Sequence, residues 1–317
     1  LTERITVVGS INMDIVATTG RYPSRGETVF GDSVHFFPGG KGANQAVTCH
    51  RLGKETYFIG AVGDDIFGRS LIKSLEASGL NISYVRRLDG AATGVAMTTI
   101  DETAENTMLV VKGANDLLTA GDIEKAAEAI DNSGIVLLQM EVPQEAVMYT
   151  LKKAKAMNKW TIADPSPAEG ITFAALPYCD VIIPNRQETA FLTGIDVTDV
   201  TTAGAAARQI QALGVKHVII KMGNNGCLVR SEGREQHFPA VNVQAVDTVG
   251  AGDAFSGAVA SAFADGAGLL EAAEFATIVG GLSTTKLGAQ SGLPKLQEVQ
   301  QFSRENKLSN FLLDEAN

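Results

Sequence analysis

Asp253 ends the run Ala245-Val-Asp-Thr-Val-Gly-Ala-Gly-Asp253, and an apolar helical stretch, residues 254–263, follows at once. Glycines at 250 and 252 allow a sharp turn with outward N–H groups. A helix start adds free donors and a partial positive charge. Gly250, Ala251 and Gly252 therefore predict an anion hole suited to a phosphoryl group in transfer. A carboxylate beside such a hole disfavours simple phosphate binding, but it makes sense as the acceptor of a hydroxyl proton. Spacing alone allows Asp253 to be a helix cap with equal weight.

Pro38-Gly-Gly-Lys-Gly-Ala-Asn44 also leads into a helical stretch. It is not a Walker A loop, because His35 replaces the first Gly and Gly42 follows Lys41. Gly40, Lys41 and Asn44 could approach a polyhydroxylated ligand, or simply turn a strand into a helix. Asn12 and Asp14 lie two apart, on one side of an extended segment, and suit vicinal hydroxyls. Turn chemistry is their alternative. Asn185 and Glu188 would share a helical face, a spacing that also reads as a capping box. Lys221-Met-Gly-Asn-Asn-Gly226, with Gly223 and Gly226, either approaches a nucleotide or turns a hairpin into residues 227–230. No Gly-x-Gly-x-x-Gly follows a strand, so a nicotinamide dehydrogenase lacks its fingerprint.

The elements that must position these residues alternate. Residues 5–8, 57–62, 135–140, 160–163, 181–183 and 217–222 are short β-branched runs and read as buried strands. Helical patterns lie between most of them; one has Ile123, Ala126, Ala127 and Ile130 behind Asp122 as N-cap. This predicts an α/β fold, a mainly parallel sheet sandwiched by helices with ligands at the strand C-terminal ends. Two stretches break the rhythm. Residues 12–36 hold strand-like pieces at 14–18 and 27–30, and residues 93–111 read as a hairpin turning at 101–106. The predicted organisation is a core of 1–11, 37–91 and 113–317 with a small β-sheet lid of 12–36 and 92–112. The polar end, from about residue 305 to 317, is expected to fray.

The chain has 317 residues and a net charge of −10, which argues against nucleic-acid or anionic-membrane partners. Three scattered cysteines and four histidines give no zinc spacing and fit free thiols in a reducing, cytoplasmic setting. No apolar run approaches a membrane span, and no signal-peptide pattern opens the chain.

Taken together, Gly39-Gly-Lys-Gly-Ala-Asn44, Asp247-Thr-Val-Gly-Ala-Gly-Asp253 and Asn185-x-x-Glu188 resemble the signatures of the ribokinase family of sugar and nucleoside kinases. The resemblance runs from about residue 5 to 294. It implies ATP-dependent phosphorylation of a sugar, with Asp253 as catalytic base and Gly250, Ala251 and Gly252 as anion hole. It implies Mg2+ and phosphate contacts at Asn185 and Glu188, nucleotide contacts at Lys221, Gly223, Gly226 and Gly252, and an adenine pocket near Thr277. Asn12, Asp14, Gly40, Lys41, Asn44 and Glu141 match the family's ribose-binding set, which implies transfer to the 5-hydroxyl of D-ribose. A K+ ion beside the anion hole is implied at Asp247, Val249, Ser283, Lys286, Gly288 and Gly292. The resemblance also implies a homodimer formed through the lid. Another small sugar or a nucleoside is the alternative substrate. A non-catalytic sugar-binding regulator is disfavoured, because Asp253 and the glycines are all present.

Overall fold

The structure is a computed structural model, and it describes residues 4–103 and 106–308. Residues 309–317, most of the polar end expected to fray, and residues 104–105 of the expected hairpin turn lie outside the described residues. The first half of the chain runs β1 (Arg4–Val8), β2 (Asn12–Thr18), β3 (Ser33–Gly39), α1 (Lys41–Arg51), β4 (Glu55–Gly63), α2 (Ile66–Ala77), β5 (Asn81–Leu88), β6 (Gly94–Ile100), β7 (Asn106–Val111), α3 (Ala120–Lys125), α4 (Ala127–Asn132), β8 (Ile135–Leu138) and α5 (Gln144–Ala156). The second half runs β9 (Trp160–Ala163), β10 (Val181–Ile182), α6 (Arg186–Thr193), α7 (Val200–Ala212), β11 (His217–Lys221), β12 (Cys227–Ser231), β13 (Arg234–Phe238), α8 (Ala251–Ala264), α9 (Leu269–Ser283), α10 (Ala289–Gly292) and α11 (Leu296–Glu305).

A nine-stranded sheet has the order β13-β12-β11-β10-β9-β8-β1-β4-β5. From β11 to β5 every pairing is parallel, and β12 and β13 add an antiparallel edge. The strands are apolar on both faces because both are covered. Ile5, Val7, Ile135 and Leu137 pack with α1, α2, α8 and α9. Their neighbours Val8, Val136 and Leu138 pack with α3, α5 and α7. Each fully buried Ile or Leu contributes about 1.5–3 kcal/mol. The expected sandwiched parallel sheet is therefore observed. All three cysteines are free and buried, and burial pushes their thiols up to about 12. Among the described residues, no helix is long and apolar enough to cross a membrane.

A second, four-stranded sheet has the order β3-β2-β6-β7. One expected strand moves. Residues 27–30 are not extended-paired; the partner of β2 is β3, at Ser33–Gly39. Arg21 and Ser24 both bond the Glu27 carboxylate, which holds residues 21–27 in a turn, and Phe30 projects into solvent, 96% exposed. The helix expected behind Asp122 also differs. Thr119 is the N-cap, and Asp122 is the third residue, closing a capping box and pairing with Arg86. The helical run breaks at Ala126 into α3 and α4.

Candidate functional site

Because β1, β8, β9, β10 and β11 are parallel, the residues after each strand gather at one edge of the sheet. Ser10, Gln139, Glu141, Asp164 and Asn185 all follow such strands, and Lys221 ends β11. A cleft of roughly 880 Å³ opens there, lined by Lys41, Asp164, Asn185, Glu188, Lys221, Gly223, Gly226, Gly250, Ala251, Gly252, Asp253 and Thr277, among others. A shallower hollow of about 760 Å³ beside α2 and β5 contains none of these groups.

Two helices begin at this cleft. Gly40 (φ 91°) starts α1 and Gly250 (φ 81°) starts α8, backbone values that glycine adopts without strain. Neither helix has a side-chain N-cap. In α1 the first-turn N–H groups are taken within the chain, by Glu141, Ser10 and Gly40, whereas in α8 those of Gly252 and Asp253 remain for a ligand. Asp253 does not cap α8; it is the helix's third residue. The turn is made at Gly250 alone, and Gly252 is already helical. A Cβ on Gly252 would stand 3.4 Å from Lys221 Nζ.

Asp253 is buried, and its two carboxylate oxygens have different partners. Asn44 Nδ2 donates to Oδ2 at 2.9 Å, and Gln45 Nε2 donates to Oδ1 at 3.2 Å. Burial pushes the Asp253 pKa above the usual carboxylate range; Lys41 opposes this, Asp164 adds to it, and the two amides oppose it. A carboxylate poised this way is a stronger proton acceptor than a solvated one. Burial alone would lower the Lys41 pKa, but Asp253, Glu141, Asp164 and Glu188 outweigh it, so Lys41 stays protonated.

Asp14 lies on β2 opposite Phe37 of β3 and Ala96 of β6. A Cβ on Gly39 would fall 2.1 Å from its Oδ2, so glycine there makes room for the carboxylate. Burial raises Asp14 to about 7, with Glu141 and Asp253 adding and Lys41 opposing. Glu141 accepts from Ser10 Oγ at 2.5 Å and from the Lys41 N–H at 3.5 Å. Asn12 is buried and accepts from Asn115 Nδ2 at 2.7 Å, which leaves its own NH2 for a ligand.

On the other side, Asn185 and Glu188 form the capping box at the start of α6, with Glu188 N–H donating at 2.9 Å and Asn185 N–H returning at 2.7 Å. Glu188 is buried, and burial together with Asp164 raises its pKa. The segment from Lys221 to Gly226 is a hairpin turn into β12 and also lines the cleft. Thr277 lines it too, but its hydroxyl donates within α9, to Ala273 and Glu274 carbonyls. Just before the start of α8, Asp247 accepts from the N–H groups of Val249 at 2.9 Å and Gly288 at 2.8 Å. The carbonyls of Ser283 and Lys286 lie 2.4 and 3.5 Å from a Cβ built on Gly292, so these three come together. The Lys286 ammonium points away, to Glu298 at 2.7 Å.

Several residues here carried no sequence signal. Asp164 accepts from Lys221 Nζ at 3.0 Å, Ser256 Oγ at 2.8 Å and Gln45 Nε2 at 3.2 Å, all on Oδ2. Its position just past β9 is the one clue the sheet-edge rule offers. Arg186 lines the cleft, and its Nε and Nη2 are buried without a hydrogen-bond partner. Nothing in the sequence distinguishes it from any first-turn arginine. The arrangement can seat an anion at the α8 N-terminus and deprotonate a hydroxyl beside it.

The family described as pfkB family carbohydrate kinase matches residues 2–296. A deoxyribokinase of Salmonella typhi is 34% identical, covering 94% of this chain and 98% of its own. The crystal structure of a ribokinase from Thermotoga maritima is 38% identical, with TM-score 0.87, covering 95% of this chain and 99% of that one. A ribokinase of Arabidopsis thaliana complexed with ribose and ATP is 30% identical, with TM-score 0.87, covering 95% and 98%. With the match spanning nearly the whole chain, the two uncapped helix starts and the carboxylate between them have a known setting: the chain belongs to the pfkB family of carbohydrate kinases and is an ATP-dependent sugar kinase.

Proposed function

We propose that the chain transfers the γ-phosphoryl group of ATP to the 5-hydroxyl of D-ribose. One observation carries this reading: Asp253 lies in the first turn of α8 and is bonded by Asn44, from the helix that begins at the glycine loop. A sugar hydroxyl held near Asn44 would therefore meet base and anion hole together. Asp253 takes the hydroxyl proton, the oxygen attacks the γ-phosphorus in line, and the bond to the β–γ bridging oxygen breaks, releasing ADP. The N–H groups at residues 250–253 stabilise charge on the transferred group. Asp14, Asn12, Asn44, Gly40, Lys41 and Glu141 would fix which oxygen attacks. The small sheet, strands β3, β2, β6 and β7, would act as a lid that excludes water. The setting is a cytoplasm that supplies ATP.

Mg2+ arriving with ATP would be held from Asn185 and Glu188 through water and would neutralise phosphate charge. The fit rests on the raised pKa of Glu188 and on the buried, unpartnered Oδ1 of Asp164. Among the described residues no three His, Cys, Asp or Glu could hold a metal by themselves, which suits an ion that brings its own phosphate ligands. K+ would be held chiefly by carbonyls, including those of Ser283 and Lys286, and would shape the anion hole without touching substrate. The gathering of these carbonyls at Gly292 supports that fit.

The test is coupled ADP release across ribose, deoxyribose, fructose, keto-deoxy-gluconate and adenosine. Ribose is expected to give the highest kcat/KM. A higher value for deoxyribose would establish the second reading, for which the matched deoxyribokinase is the precedent. Repeating the panel in tetramethylammonium should lower the rate, and equal rates would remove the cation from the scheme.

Arg186 is the cleft cation to pair with the phosphates. Lys221 is committed to Asp164, whereas two guanidinium nitrogens of Arg186 have no partner. Arg186→Gln is expected to raise the KM for ATP by about 10–100-fold, the loss of a charge-assisted hydrogen bond. The KM for the sugar should not move, and inhibition by adenosine, which lacks phosphate, should be unchanged. The row Phe36, Ile15, Met97 and Leu109 crosses one face of the small sheet, and Phe36, Met97 and Leu109 are exposed. A homodimer through the lid would cover this row, and sedimentation should give twice the chain mass.

A further inference from the structure

We infer that Gln45 is a positioning residue for the base, its amide locked by Gln139 and shared between Asp253 and Asp164. The inference rests on the reading of Asp253 as base. Gln45 Nε2 lies 3.2 Å from Asp253 Oδ1 and 3.2 Å from Asp164 Oδ2. A primary amide has two N–H donors, one for each carboxylate. With its NH2 committed to two acceptors, Gln45 must present its carbonyl the other way. Gln139 Nε2 meets that carbonyl at 2.5 Å. A flipped Gln45 would set its oxygen against two carboxylates and its NH2 against that of Gln139. The orientation is therefore fixed by donors and acceptors rather than by packing alone. Gln45 and Gln139 are both fully buried, so no water can replace the lost partners.

The amide has two effects. It stabilises the ionised form of Asp253, opposing the burial that raises it. It also joins the base to Asp164, which takes Lys221 at 3.0 Å on the same oxygen. A hydrogen-bonded line therefore runs from the nucleotide side of the cleft to the proton acceptor. The charged groups facing Asp253 are Lys41 on α1, Asp164 after β9 and Asp14 on β2. Glu188 and Lys221 face Asp164. Gln45 is uncharged, and its removal leaves this set intact.

The experiment is the pH profile of kcat for wild type, Gln45→Leu and Gln139→Leu, with folding checked by circular dichroism. In Gln45→Leu the acid limb is expected to move up by about one pH unit, the worth of one charge-assisted hydrogen bond. Below the limb kcat falls by about tenfold, and the loss disappears as pH rises above it. The KM for the sugar changes little, because Asn44 remains. Gln139→Leu frees the amide to turn and moves the same limb in the same direction by less. If Gln45→Leu does not fold, the Gln139 variant carries the test alone. A kcat lowered equally at every pH, with the limb unmoved, overturns the proposal and leaves Gln45 as packing. Asp253→Asn run in parallel separates the two ideas. Full activity there defeats the base reading itself, whereas an inactive Asp253→Asn with an unmoved limb defeats only the positioning role.

Discussion

Asp253→Asn is expected to lower kcat by about 10²–10⁴-fold, the contribution of a positioned general base, with the KM for the sugar changed no more than a few-fold. The substitution keeps size and shape but removes proton affinity. Two donors converge on this side chain, Asn44 at 2.9 Å and Gln45 at 3.2 Å. An amide can accept from only one of them, so a donor faces a donor on the other side. That local cost is small beside the core packed around α8, and the variant should remain folded. The proposed anion hole is backbone at the start of α8 and should survive the substitution, so nucleotide affinity should hold. The measurement is steady-state kinetics with circular dichroism as a fold control. Near-normal turnover in a folded variant would remove Asp253 as base. A matching loss of nucleotide affinity would instead mean that the α8 turn had collapsed.

The fold was legible because its signals are local. Short β-branched runs and intervening helical patterns mark a sheet covered on both faces, and the register of β1, β8 and β9 follows. Uncapped starts at Gly40 and Gly250 were legible as glycine turns running into apolar helices. Other features lacked a local signal. Residues 27–30 have strand-like composition, but Glu27 is drawn into a turn by Arg21 and Ser24, and the alternation at Val34 and Phe36 carries the strand instead. Asp122 is a good cap residue, yet Thr119 precedes it by three and takes that role. The Gln45 amide binds carboxylates 119 and 208 residues away, and Gln139 reaches it from 94 residues away. Gln and a lone Asp before Pro165 are unremarked residue types. Only the crossing of β8, β9, α1 and α8 at one edge gives them meaning.

Asp14→Asn is expected to move affinity and stability in opposite directions. The carboxyl titrates at about 7 in the folded chain, raised first by burial and then by Glu141 and Asp253, against about 3.9 for a solvated Asp. The folded state therefore holds a proton that the unfolded state has released across that interval. Stability must fall as pH rises from about 4 to about 7, and the cost persists above it. Asn carries no such charge. Near pH 4 the two proteins should melt alike. At pH 8 the variant should be more stable, by about 2 kcal/mol once solvent screening in the open site is allowed for. Sugar binding responds the other way. The ionised carboxylate is the strong acceptor for hydroxyls, so wild-type sugar KM should improve as pH rises through about 7. In Asp14→Asn that pH dependence disappears, and the KM stands about 10–100-fold higher at pH 8, the loss of a charge-assisted hydrogen bond. Thermal melts and sugar KM at pH 5 and pH 8 check both halves. A variant no more stable than wild type at pH 8 would show that Asp14 is ionised without cost. A sugar KM unchanged at pH 8 would place the hydroxyls elsewhere in the cleft. The carboxylate is held in the free chain by Gly39, Ala96 and the neighbouring acids, which resist its charge, and a bound polyol is the partner that would make ionisation favourable.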